Sequence, residues 1–98
     1  MIAYVTAKAG HEDEVRNALL DLVAQTRDEE GCINYDLHQS QETPREFAIY
    51  ENWRHASDLD AHAKSAHILT FRRTAGHLLE SPSEITKWHM VSELSGTA

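Results

Sequence analysis

The 98 residues, 41% of them hydrophobic, are enough for one compact domain and too few for two independent cores. Sixteen acidic residues against nine basic ones give a net charge of -7 with no basic stripe, which argues against nucleic acid or an anionic membrane surface as partner. One cysteine, Cys32, excludes an internal disulfide framework and any multi-cysteine zinc site. The opening Met1-Ile2-Ala3-Tyr4-Val5 has no basic leader, and no window approaches the roughly 18 apolar residues of a membrane helix, so a soluble cytoplasmic protein is expected.

Ile2 to Lys8 is a β-branched, largely apolar run that predicts a strand covered on both faces. After Gly10, Val15, Ala18, Leu19, Leu22 and Val23 follow helical spacing, with Glu12, Asp13 and Glu14 in the first turn and Gly31 past the end. Ile33, Tyr35 and Leu37 alternate with Asn34, Asp36 and His38, a strand with one apolar face. Thr43-Pro44-Arg45 reverses the chain into a second run, with Phe47, Ile49, Glu51 and Trp53 on one side and Ala48, Tyr50 and Asn52 on the other. Ser57-Asp58-Leu59-Asp60 reads as the start of a short helix, and Ser65 as the cap of a further segment carrying Ile68, Phe71, Ala75, Leu78 and Leu79 before Pro82. Ile85 to Val91 is expected as the last strand.

The order β-α-β-β-α-β predicts an α+β, ferredoxin-like fold, with helices on one face of an antiparallel sheet. The domain is assigned to residues 1–94, with 95–98 as a flexible tail. Apolar residues on both sides of the first and third strands call for a cover on the second face, and a homodimer is the simplest one.

Three stretches carry a resemblance. Glu29-Glu30-Gly31-Cys32-Ile33-Asn34-Tyr35-Asp36-Leu37-His38, then Phe47-Ala48-Ile49-Tyr50-Glu51-Asn52-Trp53, then Leu59-Asp60-Ala61-His62-Ala63-Lys64-Ser65-Ala66-His67 together resemble the antibiotic-biosynthesis-monooxygenase family. The resemblance implies a dimeric α/β barrel built from two ferredoxin-like units, a pocket between sheet and helices, and final strands that reach across the interface. Its known members include cofactor-free quinol and anthrone monooxygenases, an isomerase of the phosphorylated autoinducer-2 signal, and haem-degrading enzymes. The haem-degrading branch has a tryptophan where this chain has His62 and a histidine where it has Arg72, which argues against haem turnover.

His62 and His67 are the first candidates for chemistry, because imidazole exchanges protons near neutral pH; surface or capping roles are the alternative. Glu51 lies on an apolar strand face, where a carboxylate must be paired or have its pKa raised, and it is expected to orient a histidine or to act as base. A structural bond to Arg54 is equally compatible. Tyr50, Asn52 and Trp53 offer donors and flat surface for a planar substrate, and Asn34 and His38 either line a pocket or face water. No metal is expected: on a continuous helix His62 and His67 point about 140° apart, and only a break near Ser65 brings them together. Cys32 is assigned no role, and Asp28-Glu29-Glu30 is taken as a solvated helix end.

These residues suggest oxidation of a small phenolic or quinol-type substrate by O2 without a cofactor. Isomerisation of a hydroxy-ketone, with Lys64 or Arg54 on a phosphate, and small-molecule binding without turnover are the two alternatives.

Overall fold

The computed structural model describes residues 1–93, so the expected tail lies outside the described residues. Its elements are β1 (Ile2–Thr6), α1 (Glu12–Arg27), β2 (Cys32–Gln39), β3 (Glu46–Trp53), α2 (Ala56–Ala63), α3 (Ala66–Ala75), a 3₁₀ turn (Gly76–Leu78) and β4 (Glu84–Thr86). The strands pair antiparallel in the order β2-β3-β1-β4, the ferredoxin-like arrangement. The sheet of one chain is open, with β2 and β4 as its edges. Among the described residues no helix is long and apolar enough to cross a membrane.

α1 forms where its spacing predicts. Glu12, Asp13 and Glu14 occupy the positive end of the helix dipole, while Val15, Leu19, Leu22 and Val23 are buried on one stripe. That stripe meets Ala3, Val5, Phe47 and Ile49 of the sheet, and Phe71 and Ala75 of α3 complete the core. Leu19 is fully buried, so its truncation to alanine costs about 2–5 kcal/mol.

Four expectations are corrected. α2 is capped by His55 rather than Ser57: the Asp58 carboxylate accepts from the His55 backbone N–H at 3.1 Å, closing a capping box two residues upstream. β2 is bulged between Cys32 and Asn34, because Cys32 pairs with Trp53 while Asn34 pairs with the adjacent Asn52. The extra residue, Ile33, therefore turns outward to 46% exposure, and Cys32 packs on the core in its stead.

The last strand is three residues long, not seven. Its pairing with β1 runs from Tyr4 opposite Glu84 to Ile2 opposite Thr86, while on the other edge of β1 the Met1 nitrogen donates to the Glu51 carbonyl of β3 at 2.9 Å. Beyond that point Trp88 and Val91 lie exposed at 66% and 92%.

Gly31 does not close α1, which ends four residues earlier, but it matters at close quarters. A β-carbon there would overlap the Asp58 side chain, so only glycine lets the α1–β2 turn pass the start of α2.

Candidate active site

A cavity of about 700 Å³ lies between the sheet and the helices beside the packed core. β1, β3 and Tyr35 of β2 form its floor, α1, α2 and α3 its walls, and residues 79–87 one rim. The lining is mostly aliphatic and aromatic, so a polar group inside it stands out. Glu51 and His62 both reach this wall, and Arg72 and Lys87 bring positive charge to it.

Glu51 is 1% exposed. It faces the core because β3 places Phe47, Ile49 and Glu51 on the same side, as alternation requires. Its Oε1 accepts from Trp53 Nε1 at 3.0 Å. Burial lifts its carboxyl from 4.5 to about 7; the Trp53 bond and the chain's amino terminus oppose that rise, and Glu29 adds to it. Arg54, the sequence-level alternative partner, turns instead to Asp58 and Glu30.

The two histidines do converge. α2 ends at Ala63 and α3 begins at Ala66, with the Ser65 hydroxyl accepting from the Ile68 N–H across the break. Five residues that diverge on one helix are thereby folded together, with ring centroids 5.8 Å apart. Their common partner is neither Glu51 nor solvent. His62 Nδ1 lies 2.6 Å and His67 Nε2 lies 2.8 Å from the same oxygen of Glu29, Oε2.

Glu29 is thus no solvated helix end, since its side chain is only 19% exposed. The turn after α1 points it inward, its own N–H donating to the Thr26 carbonyl at 2.9 Å. Burial holds the His62 imidazole below its ordinary range, against the opposite pull of Glu29. Trp53 links the two polar groups, its ring 4.7 Å from that of His62 while its N–H holds Glu51. Tyr35 closes the corner edge-on, 5.3 Å from His62, and burial pushes its phenol above its ordinary range, so it stays protonated.

The profile of the family described as "Antibiotic biosynthesis monooxygenase" matches residues 1–74. The chain belongs to the antibiotic biosynthesis monooxygenase family. It is 38% identical over 79 residues to a Mycobacterium tuberculosis protein named "Putative monooxygenase Rv0793", covering 80% of this chain and 77% of that one. The crystal structure of PA3566 from Pseudomonas aeruginosa superposes with a TM-score of 0.86 at 35% identity, over 93% and 91% of the two chains. A "Putative antibiotic biosynthesis monooxygenase" from Nitrosomonas europaea does so with a TM-score of 0.81 at 29% identity, over 85% and 80%.

Within this monooxygenase-family fold the candidates divide between two faces. Glu51 and His62 lie on the cavity, and Trp53 stands directly behind them. His67 reaches the cluster through Glu29 but lines a smaller hollow between α1 and α3. Tyr50, Asn52, Asn34 and His38 project from the opposite side of the sheet, away from the cavity. There Asn52 donates through Nδ2 to Asn34 Oδ1 at 2.9 Å and to the Tyr50 hydroxyl at 3.0 Å, while His38 is exposed. Lys64 and Arg54 are also off the cavity; the cations that line it are Arg72 and Lys87, with Asp60 and Glu80 on the same lining. Burial is the main cause that raises the Cys32 thiol, so nothing activates it.

Glu29 was missed because it sits in a run of acids that composition cannot tell apart. The available signal was its position at the head of the family-like stretch ending in His38.

Proposed function

We propose that this chain is a monooxygenase that oxidises a small phenolic or hydroquinone substrate with dioxygen, using the substrate's own electrons. One observation carries the proposal: a mostly apolar cavity of about 700 Å³ whose wall bears Glu51, a buried carboxyl poised near pH 7. A base at that value accepts a phenolic proton at neutral pH without a large thermodynamic gap. The anion then passes one electron to dioxygen, and the resulting radical and superoxide combine at carbon. Cleavage of the O–O bond of that peroxide releases one oxygen as water and leaves the other as a carbonyl, so a hydroquinone and one O2 give a hydroxyquinone and one water. The apolar walls keep bulk water from the charged intermediates. In this reading Tyr35 and His62, both on the cavity lining, hold the substrate's oxygens, and the Trp53 N–H orients the Glu51 carboxylate.

The exposed Trp88 and Val91 support a homodimer in which a second copy covers the segment after β4. The family resemblance and the monooxygenase names of the relatives point the same way for the reaction class.

The test is oxygen consumption by the purified protein with a panel of hydroquinones. Uptake of one O2 per product, with 18O from dioxygen in the product and a large loss of kcat in Glu51→Gln, is expected. Turnover unchanged in Glu51→Gln removes that residue from the chemistry. A second reading is favoured by Arg72 and Lys87 at the cavity, which suit a phosphate: isomerisation of a phosphorylated hydroxy-ketone, with no O2 consumed. A quinone-induced rise in melting temperature without any product would leave binding alone.

A further inference from the structure

We infer that Glu29, His62 and His67 form a binding site for one divalent transition-metal ion, of the zinc, cobalt or nickel kind. The three come from three separate elements, the α1–β2 turn, the last turn of α2 and the first turn of α3, and meet at one point. Nδ1 of His62, Nε2 of His67 and an oxygen of Glu29 all lie within 4.8 Å of one another. Two imidazole nitrogens and one carboxylate oxygen are the ligand set of many three-ligand sites that keep a further position open for water or substrate.

The ligand atoms stand close enough for one ion after a side-chain adjustment. Metal–nitrogen and metal–oxygen bonds of about 2.1 Å separate neighbouring ligand atoms by roughly 3.4 Å in a tetrahedral site. The two nitrogens now stand 2.6 and 2.8 Å from the carboxylate oxygen and within 4.8 Å of each other, so side-chain shifts of under about 1 Å bring the three to the spacing of an ion's ligands. The side chains of His62, His67 and Glu29 are 5%, 14% and 19% exposed, which keeps bulk water from competing at every ligand. The set is also held in place: the Ser65 cap fixes the start of α3, and Trp53 packs on the His62 ring. Nitrogen-rich coordination selects against magnesium and calcium, which take oxygen ligands.

The site shares His62 with the oxygenase proposal but does not rest on it, and it is tested without substrate or dioxygen. Chelator-treated protein is titrated with Zn2+ by calorimetry, and separately with Mg2+. One Zn2+ per chain with Kd of about 10 µM or tighter is expected, with no heat from Mg2+. His67→Ala and Glu29→Gln weaken Zn2+ binding at least about 100-fold while circular dichroism stays that of the wild type, and His11→Ala leaves it unchanged. Wild-type protein carries the second readout, which survives a misfolded variant: one equivalent of Co2+ shifts or broadens the imidazole resonances of His62 and His67 first among the seven histidines. Zn2+ binding weaker than about 1 mM, or binding undiminished in both variants, overturns the proposal, as does Co2+ perturbing other histidines first.

Discussion

Replacing Glu51 by glutamine removes a charge that the fold resists. Because burial lifts the carboxyl from 4.5 to about 7, the folded chain keeps a proton that the unfolded chain gives up. Below pH 4.5 both states are protonated and the group is neutral in stability. Between 4.5 and about 7 the wild type loses stability as pH rises, and above that window the full penalty is present. At about 1.4 kcal/mol per pH unit, the interval from 4.5 to about 7 amounts to roughly 3 kcal/mol. Glutamine keeps the shape and an oxygen for the Trp53 N–H, and the misfit of its amide group adds a cost of about 1 kcal/mol that does not vary with pH. The pH dependence of the difference therefore isolates the charge. Urea unfolding of both proteins from about pH 5 to 9 is expected to show the variant gaining about 2.5 kcal/mol on the wild type, most of it by about pH 7.5. A difference that stays flat across that range refutes the claim that this carboxylate is desolvated in the folded chain.

Trp53→Phe keeps an aromatic ring but removes the N–H that favours ionised Glu51, so the Glu51 titration followed by carbon-13 NMR moves upward; a midpoint that falls contradicts the assigned bond. Gly31→Ala drives a methyl group into Asp58 and disturbs the cap of α2, costing about 1–3 kcal/mol, and an unchanged melting temperature counts against that close approach. Trp88→Ser removes the largest exposed apolar side chain after β4 and is expected to weaken self-association at least about tenfold in sedimentation equilibrium. A wild type that sediments as a monomer at micromolar concentration sinks the homodimer.

The parts of this fold that a sequence shows are those fixed by local periodicity. The α1 stripe, the β2–β3 alternation and the Ser65 cap were each legible, because one element's own residues decide which face is buried. What could not be read depends on residues far apart in the chain. The bulge at Ile33 follows from how β2 is laid against Trp53 and Asn52, and a period-2 pattern cannot announce an extra residue. β4 is set by its pairing with β1, 80 or more positions away, so the run from Ile85 to Val91 does not by itself mark where the ladder stops. Glu29 looked like its neighbours Asp28 and Glu30 until the backbone of the turn chose one of three acids to point inward.

The helix break at Lys64 and Ser65 is the step that joins fold to chemistry. Had α2 run on into α3, His62 alone would reach Glu29, and His67 would face water on the far side. The break instead folds the second imidazole back onto the same oxygen while leaving Phe71 and Ala75 on the core stripe. Local sequence explains how this is possible, since Ser65 supplies the cap that starts a second helix. It does not explain why a longer continuous helix, cheaper in unsatisfied backbone ends, is forgone. What the break does in structural terms is bring three polar side chains together beside a cavity wall that carries Glu51, a convergence a straight helix does not allow.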